Sequence, residues 1–455
     1  MSGAVQEVQE EQIMDAFFGA PGPDLDLVAK ARALQPLIRE FAQQGEDDRR
    51  VAEEVITAMK EAGLLHISVP RRWGGYGANF RTFIDTVAEV ARADGATGWV
   101  SALLNSSTWF VSLFSDRAQE DVFGANPRAC VSAVLSPGGP FVQASSTKKV
   151  ERVDGGIRVT GQWGYSSGSL HADWAIVPVR TGEDEHGLPV NSLALIPSSD
   201  LTIQDTWHVA GMRATGSNTV VAEDVFIPDH RIELIGDLAA EKYGREWADE
   251  DNYHASFVPV AEIILSSAQI GMARAAIDLT RGFGAEKPVT YTVFKHAKES
   301  TVHQIELAKA QSEVDQAHLL AARSCAVIDR AARDRRVMTI EERARTRMDN
   351  GQAARLCRRA INRCLSINGA FSFALVNPLQ QIWRNSETAS RHALVFPEMA
   401  RRSTARCFSA SRTPSSRSSL VRCSAGGRAS TGSRPGLLAC KGGRGLPDSV
   451  DAGEP

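Results

Sequence analysis

Hydrophobic periodicity changes twice along this chain of 455 residues, and the order of those changes restricts the fold more than any other feature. From about residue 24 to 127, apolar residues recur at helical spacing. In VAEEVITAMKEAGLLHISVP, Val51, Val55, Ile56 and Met59 share a face, and Gly63 offers a C-terminal stop. From about 128 to 235 the period shortens to alternation in ACVSAVL, GIRVTGQWGY, DWAIVPVR, SLALIPS and TVVAEDVFIP, with turn residues between them. From about 236 to 400 long helical stretches return, and Ile305, Ala308, Val314, Ala317 and Leu320 trace one stripe. The predicted class is α+β multidomain: an N-terminal helical domain, a central antiparallel β domain and a C-terminal four-helix bundle.

The two ends stand outside this pattern. Residues 1–23 read as a flexible N-terminus. Residues 401–455 are dense in Arg, Ser and Gly without an apolar period, a composition that predicts disorder. A basic nucleic-acid tail is one account of that segment; a stretch read out of frame is the other, favoured by the abrupt break after FPEMA. Over the whole chain 51 Lys and Arg balance 54 Asp and Glu, which argues against nucleic-acid or membrane-surface partners. No apolar run reaches the ~18 residues that span a bilayer. The acidic start MSGAVQEVQEEQIMDAFF lacks a signal pattern, so the expected location is cytoplasmic. Cys130, Cys325, Cys357 and Cys364 are widely spaced, as ordinary thiols of a reducing compartment are, and no zinc-ligand spacing occurs.

Within the β segment, GQWGYSSGSLHADWAIV places Ser166, Ser167 and Gly168 between two aromatic-bearing strands. A hairpin turn is one reading. The other is that backbone and hydroxyl groups here face a flat polar ligand. No G-x-G-x-x-G loop follows a strand, hence no nicotinamide-dinucleotide site is evident.

Three stretches carry a resemblance. WGGYGANF resembles the glycine-rich segment that follows the N-terminal helices of acyl-CoA dehydrogenases. WHVAGMRATGSNTVVAEDVFIPDHR, Trp207 to Arg231, resembles their W-x-x-x-G-M-R-x-T-x-S segment, and GQWGYSSGSLHADW resembles their G-x-W-x-x-S-S-G beside the flavin. The resemblance spans about residues 25 to 400 and implies the acyl-CoA dehydrogenase-like fold. Where a dehydrogenase carries its carboxylate base, WRNSETASRHALVFPE places His392 and Ala393, with Glu387 and Glu398 displaced. RHALVFPEMA instead resembles the flavin-dependent monooxygenases of this superfamily, the oxygenase components of secosteroid, p-hydroxyphenylacetate and natural-product hydroxylases. The cofactors so implied are reduced FAD or FMN and O2, reacting through a hydroperoxide at ring carbon 4a. The implied partners are a separate NAD(P)H:flavin reductase, an aromatic or indole-like polycyclic substrate, and further copies of the chain in a homo-oligomer (dimer or tetramer). An acyl-CoA dehydrogenase, an amine N-hydroxylase and an inactive scaffold of the same fold are the alternatives.

By position in the family's motifs, Ser167 is the hydroxyl beside flavin nitrogen 5, donating to the peroxide while accepting from the ring. His392 assists at the distal oxygen. Trp163, Ser166, Gly168, Trp207, Thr215 and Ser217 are the further flavin contacts, joined by Asn368 and Gly369 from a neighbouring subunit. For the substrate, GWVSALLNSSTWFVSLF lacks the histidine that phenol-hydroxylating relatives carry there. Asn105, Ser107 and Trp109 are the expected substrate pocket, and His254 is an alternative base. The hydroxyl and amide groups of this stretch are not bases at neutral pH, which favours an electron-rich ring or an amine. Leu103, Leu104, Trp109 and Phe110 favour a bulky hydrophobic one.

Overall fold

The computed structural model describes residues 19–136, 145–243 and 249–410. Helix α1 (Leu25–Asp48) starts at Asp24, whose carboxylate accepts from the Asp26 and Leu27 amides. Helix α2 (Glu53–Glu61) buries Val55, Ile56 and Met59, and the chain then turns at Gly63, where φ is 75°. Helices α3 (Phe80–Ala93) and α4 (Gly95–Phe110) are separated only by Asp94, which caps α4 by accepting from the Thr97 amide and hydroxyl. Helix α5 (Asp116–Phe123) closes this part.

The strands are β1 (Val131–Ala133), β2 (Ser145–Val153), β3 (Gly156–Ser166), β4 (Trp174–Glu183), β5 (Pro189–Pro197), β6 (Thr202–Gln204), β7 (Asn218–Pro228) and β8 (Ile232–Leu234). They form two four-stranded sheets, ordered β1-β4-β5-β8 and β2-β3-β7-β6. Val159, Trp163, Val177, Ile196 and Val220 fill the space between them. The expected antiparallel pairing is corrected at one edge, where β1 runs parallel to β4. The hairpin reading of Ser166–Gly168 is also corrected. Strands β3 and β4 belong to different sheets, so this stretch is a crossover between them.

The C-terminal helices are α6 (Ile235–Ala239), α7 (Phe257–Ile263), α8 (Leu265–Leu279), α9 (Thr301–Arg333), α10 (Ile340–Asn368), α11 (Pro378–Ala389) and α12 (Pro397–Ala410). Helix α8 is central and packs on α3, α4, α9, α10 and α11. Gly271 allows its closest approach to α3, since a Cβ there would sit 2.3 Å from the Ala88 carbonyl oxygen. Contrary to the expectation from sequence, the run Phe257–Gly284 has the length and hydropathy of a bilayer span. It is a core helix: 94% of its most apolar window is buried within the fold. The stripe on α9 starts later than its spacing predicts. Ile305 and Ala308 are exposed, while Val314, Ala317 and Ala321 carry the burial. Cys357 and Cys364 pack into the core from α10, and burial pushes their thiols up to about 12 and about 11, as expected of unreactive groups.

Disorder starting at residue 401 is corrected as well. Helix α12 runs on to Ala410, and the buried Thr404 donates to the Ala344 carbonyl at 2.9 Å. Residues 1–18, which hold most of the expected flexible N-terminus, and the tail beyond 410 lie outside the described residues.

Candidate active site

Where β3 leaves its sheet, the register against β7 slips between Trp163 and Ser166, and Ser166 lies opposite Asn218. Tyr165 and Gly168 both take positive φ, 64° and 74°, and turn the chain toward the second sheet. Gly168 is required twice over. Its φ is left-handed, and a Cβ would lie 3.0 Å from Leu104 and 3.4 Å from Val100, both on α4. Its N–H donates to the Thr215 carbonyl at 3.0 Å, which brings the turn leaving β3 against the turn entering β7.

Those turns join three buried hydroxyls in a line. Ser167 Oγ lies 2.6 Å from Ser217 Oγ, and Ser217 Oγ lies 2.6 Å from Thr215 Oγ1. Thr215 Oγ1 then donates to the Met212 carbonyl at 2.8 Å. Met212 is itself left-handed, with φ 61°. Its carbonyl also accepts from Trp207 Nε1 at 2.8 Å, and its N–H donates to Asn385 Oδ1 of α11 at 2.6 Å. Trp207 stays partly exposed and meets the exposed Tyr165 ring edge-on, 5.8 Å between centroids. Arg384 of α11 secures the same loop by donating to the Ala210 carbonyl and to Glu46 Oε1.

His392 follows α11. Its ring lies edge-on to Trp99 of α4 at 5.9 Å. Its Nδ1 accepts from the Leu394 N–H at 3.3 Å, which leaves the proton of the neutral ring on Nε2. The side chain keeps open surface, yet desolvation by the surrounding protein pushes its pKa down to about 4. Trp99 beside His392 and Val100 beneath Gly168 are consecutive residues, so the imidazole and the serine turn flank one turn of α4. Leu103, one helical turn beyond Trp99, is the partly exposed apolar residue on that side.

The other sequence candidates fall elsewhere. Trp163 is corrected as a flavin contact: it is fully buried between the sheets, its Nε1 donating to the Pro178 carbonyl at 2.8 Å. Asn105 and Trp109 are corrected as pocket residues, because both are buried in the core with their polar groups already hydrogen-bonded there. Asn105 accepts from the Ile67 N–H at 3.0 Å and donates to the Leu64 and Ser101 carbonyls at 2.8 Å and 2.9 Å. Trp109 donates to the Asn252 carbonyl at 3.1 Å and stacks edge-on against Phe80. Ser107 and His254 are buried, and the Ser166 hydroxyl reaches toward Ser132 Oγ of β1 at 3.4 Å. Asn368 donates within the bundle, to Thr280 Oγ1 at 3.0 Å and the Cys364 carbonyl at 2.8 Å, while its Oδ1 is buried without a partner. Gly369, with φ 69°, adjoins open space.

Glu387, a carboxylate close in sequence to the dehydrogenase base position, is engaged by Arg358 at 3.0 Å and by Arg391. Sequence reasoning missed Trp99, Met212 and Asn385. The i, i+4 pair of Trp99 and Leu103 was a readable signal; the pairing of Met212 with Asn385, far apart along the chain, was not.

Residues 29–123 match the family described as "Acyl-CoA dehydrogenase, N-terminal domain", and residues 263–397 match "Acyl-CoA dehydrogenase, C-terminal domain". The chain is 33% identical over 372 residues to the flavin-dependent monooxygenase, oxygenase subunit HsaA, of Rhodococcus jostii (strain RHA1), covering 81% of this chain and 94% of that one. It is 30% identical to the FADH(2)-dependent resorcinol hydroxylase, oxygenase component, of Rhizobium sp. (strain MTP-10005), over 81% and 90% of the two chains. Among solved structures, XiaF from Streptomyces sp. in complex with FADH2 and glycerol superimposes with a TM-score of 0.78 at 30% identity, over 84% of this chain and 95% of XiaF. The chain belongs to the acyl-CoA dehydrogenase family and, within it, to the flavin-dependent monooxygenases, as an oxygenase component of the two-component type.

Proposed function

We propose that this oxygenase component binds reduced flavin, FAD or FMN, at the Ser167 turn and uses it with O2 to hydroxylate a bulky, electron-rich aromatic substrate. The observation that carries this reading is the buried line Ser167–Ser217–Thr215, placed on the same turn of α4 as His392. The residues fit a flavin. A flat heterocycle with N–H and carbonyl edges calls for neutral hydrogen-bonding groups and apolar walls, and the turn offers hydroxyls, backbone and the Tyr165, Trp207 and Trp99 rings. When bound, reduced flavin supplies the two electrons that activate O2. The designation of the relatives as oxygenase subunits or components supports its delivery by a separate NAD(P)H:flavin reductase.

Ser167 holds the edge of the ring at nitrogen 5, and Ser217 and Thr215 hold Ser167. Trp99 and Leu103 keep water from the reacting face, which limits loss of activated oxygen as peroxide. His392 is neutral at pH 7 and offers its Nε2 proton to the oxygen being transferred. Since the Asn105 amide and the Trp109 indole are already hydrogen-bonded in the core, no group of theirs deprotonates a substrate, which favours an indole-like or polycyclic ring that is already nucleophilic. Leu375 and Val376 are 85% and 81% exposed just beyond Asn368 and Gly369; covering that apolar surface with a second copy brings those two residues toward the copy's flavin and supports a homo-oligomer.

The test supplies NADH, a general flavin reductase and a panel of indoles and phenols under labelled dioxygen. One labelled oxygen atom in a product is expected. A tightly held yellow flavin that bleaches on adding an acyl-CoA would overturn the reading.

A further inference from the structure

Each hydroxyl in the line Ser167–Ser217–Thr215 has one proton, and the carbonyl at its inner end fixes where all three point. The Met212 carbonyl only accepts, so the Thr215 proton is committed to it at 2.8 Å. The 2.6 Å contact of Thr215 with Ser217 then needs the Ser217 proton, and the 2.6 Å contact of Ser217 with Ser167 needs the Ser167 proton. Every proton runs inward. Ser167 is left with lone pairs alone for whatever lies on its outer side, which differs from the expectation that it also donates to the peroxide.

We infer that Thr215 and Ser217 are positioning residues: the one-way line they form holds the Ser167 proton inward and so sets how strongly the site prefers the reduced state of its cofactor. The inference rests on the flavin lying at Ser167. Nitrogen 5 of reduced flavin carries a hydrogen and matches an acceptor; nitrogen 5 of oxidised flavin carries a lone pair and faces another lone pair. Reversing the line to greet the oxidised ring costs the bond from Thr215 to Met212, about one net hydrogen bond, or roughly tenfold in affinity. An oxygenase with this polarity takes up flavin that arrives reduced and lets go of flavin once it is oxidised.

The test compares anaerobic dissociation constants of reduced and oxidised flavin, together with the midpoint potential of the bound flavin. The wild-type protein should hold reduced flavin more tightly and raise the potential above that of free flavin. Thr215→Val frees the Ser217 proton to turn toward Ser167. The ratio of the two constants should fall about tenfold, and the potential by about 30 mV, the two-electron equivalent. Thr215→Ser, which keeps the hydroxyl, should restore both. Should Thr215→Val fail to fold, Ser217→Ala removes the acceptor of the Ser167 proton and should narrow the ratio in the same way. If Ser167→Ala weakens reduced flavin while Thr215→Val keeps the wild-type ratio, the inference is overturned and the flavin site stands. If Ser167→Ala leaves reduced-flavin affinity unchanged, flavin does not lie at Ser167, and both fall.

Discussion

The Met212 N–H and Asn385 Oδ1 lie 2.6 Å apart, a bond that, with that from Arg384 to the Ala210 carbonyl, ties the loop carrying the hydroxyl line to the helix that leads into His392. Both residues are buried, 2% and 1% exposed, so water does not replace a lost partner. Asn385→Ala should cost about 1–3 kcal/mol of stability, the penalty of an unpaired buried amide, measured by denaturant unfolding. Reduced-flavin binding should weaken with it. Wild-type stability and affinity in this variant would show that the loop is held by other contacts.

Gly168→Ala meets two obstacles, a left-handed φ of 74° and the Leu104 side chain at 3.0 Å. The backbone penalty alone is about 1–2 kcal/mol. Adding Leu104→Ala should relieve the clash but not the backbone strain. Reduced-flavin affinity is expected to recover only in part in the double variant; full recovery would assign the whole effect to the clash.

His392 is pushed down to about 4, so its charge should not change across neutral pH. Product formation should show no step near the ordinary histidine value of ~6.5. The linked stability follows the same sign. Below ~6.5 the unfolded chain takes up a proton that the folded ring refuses until about 4, so this contribution is lost as pH falls through that window. His392→Gln keeps an N–H donor at the end of the side chain and should retain most activity, whereas His392→Ala should lose roughly 100-fold. A comparable loss of reduced-flavin binding in the alanine variant would mark His392 as structural.

Asp329 accepts from the Phe80 N–H at 3.1 Å with one oxygen, while the other is buried without a partner, and burial pushes its pKa up to about 7. A raised carboxyl pKa contributes stability that is complete below the unfolded value of 3.8 and is lost as pH rises through about 7. Asp329→Asn should therefore flatten the decline in melting temperature between pH ~4 and ~8. A steeper decline would mean that the ionised form is the one the fold favours.

The helical–β–helical order was legible because period follows from burial on one face. Val55, Ile56 and Met59 keep the predicted face, whereas Ile305 and Ala308 share the spacing of Val314 but extend past the core that α9 packs on. Periodicity reports a potential face, not whether something covers it. The serine turn was legible through its motif, but its crossing between sheets depends on Tyr165 and Gly168 adopting positive φ, and nothing local demands that of a tyrosine. Trp163 was placed at the flavin by its position in the family's motif. Strand alternation, available in the same stretch, puts it on the inner face instead. Asn105 and Trp109 went astray because their burial is set by partners far along the chain, Leu64 and Ile67 for Asn105 and Asn252 for Trp109.

The most direct measurement of whether Ser167 works at the reaction centre is product formed per NADH, with peroxide released, for wild type and Ser167→Ala supplied with the same reductase. Ser167→Ala should consume oxygen at a similar rate at saturating reduced flavin, while product falls roughly tenfold and peroxide rises to match, as expected from the loss of one hydrogen bond near the reacting atoms. Unchanged coupling of NADH to product in Ser167→Ala would contradict a flavin held at this turn.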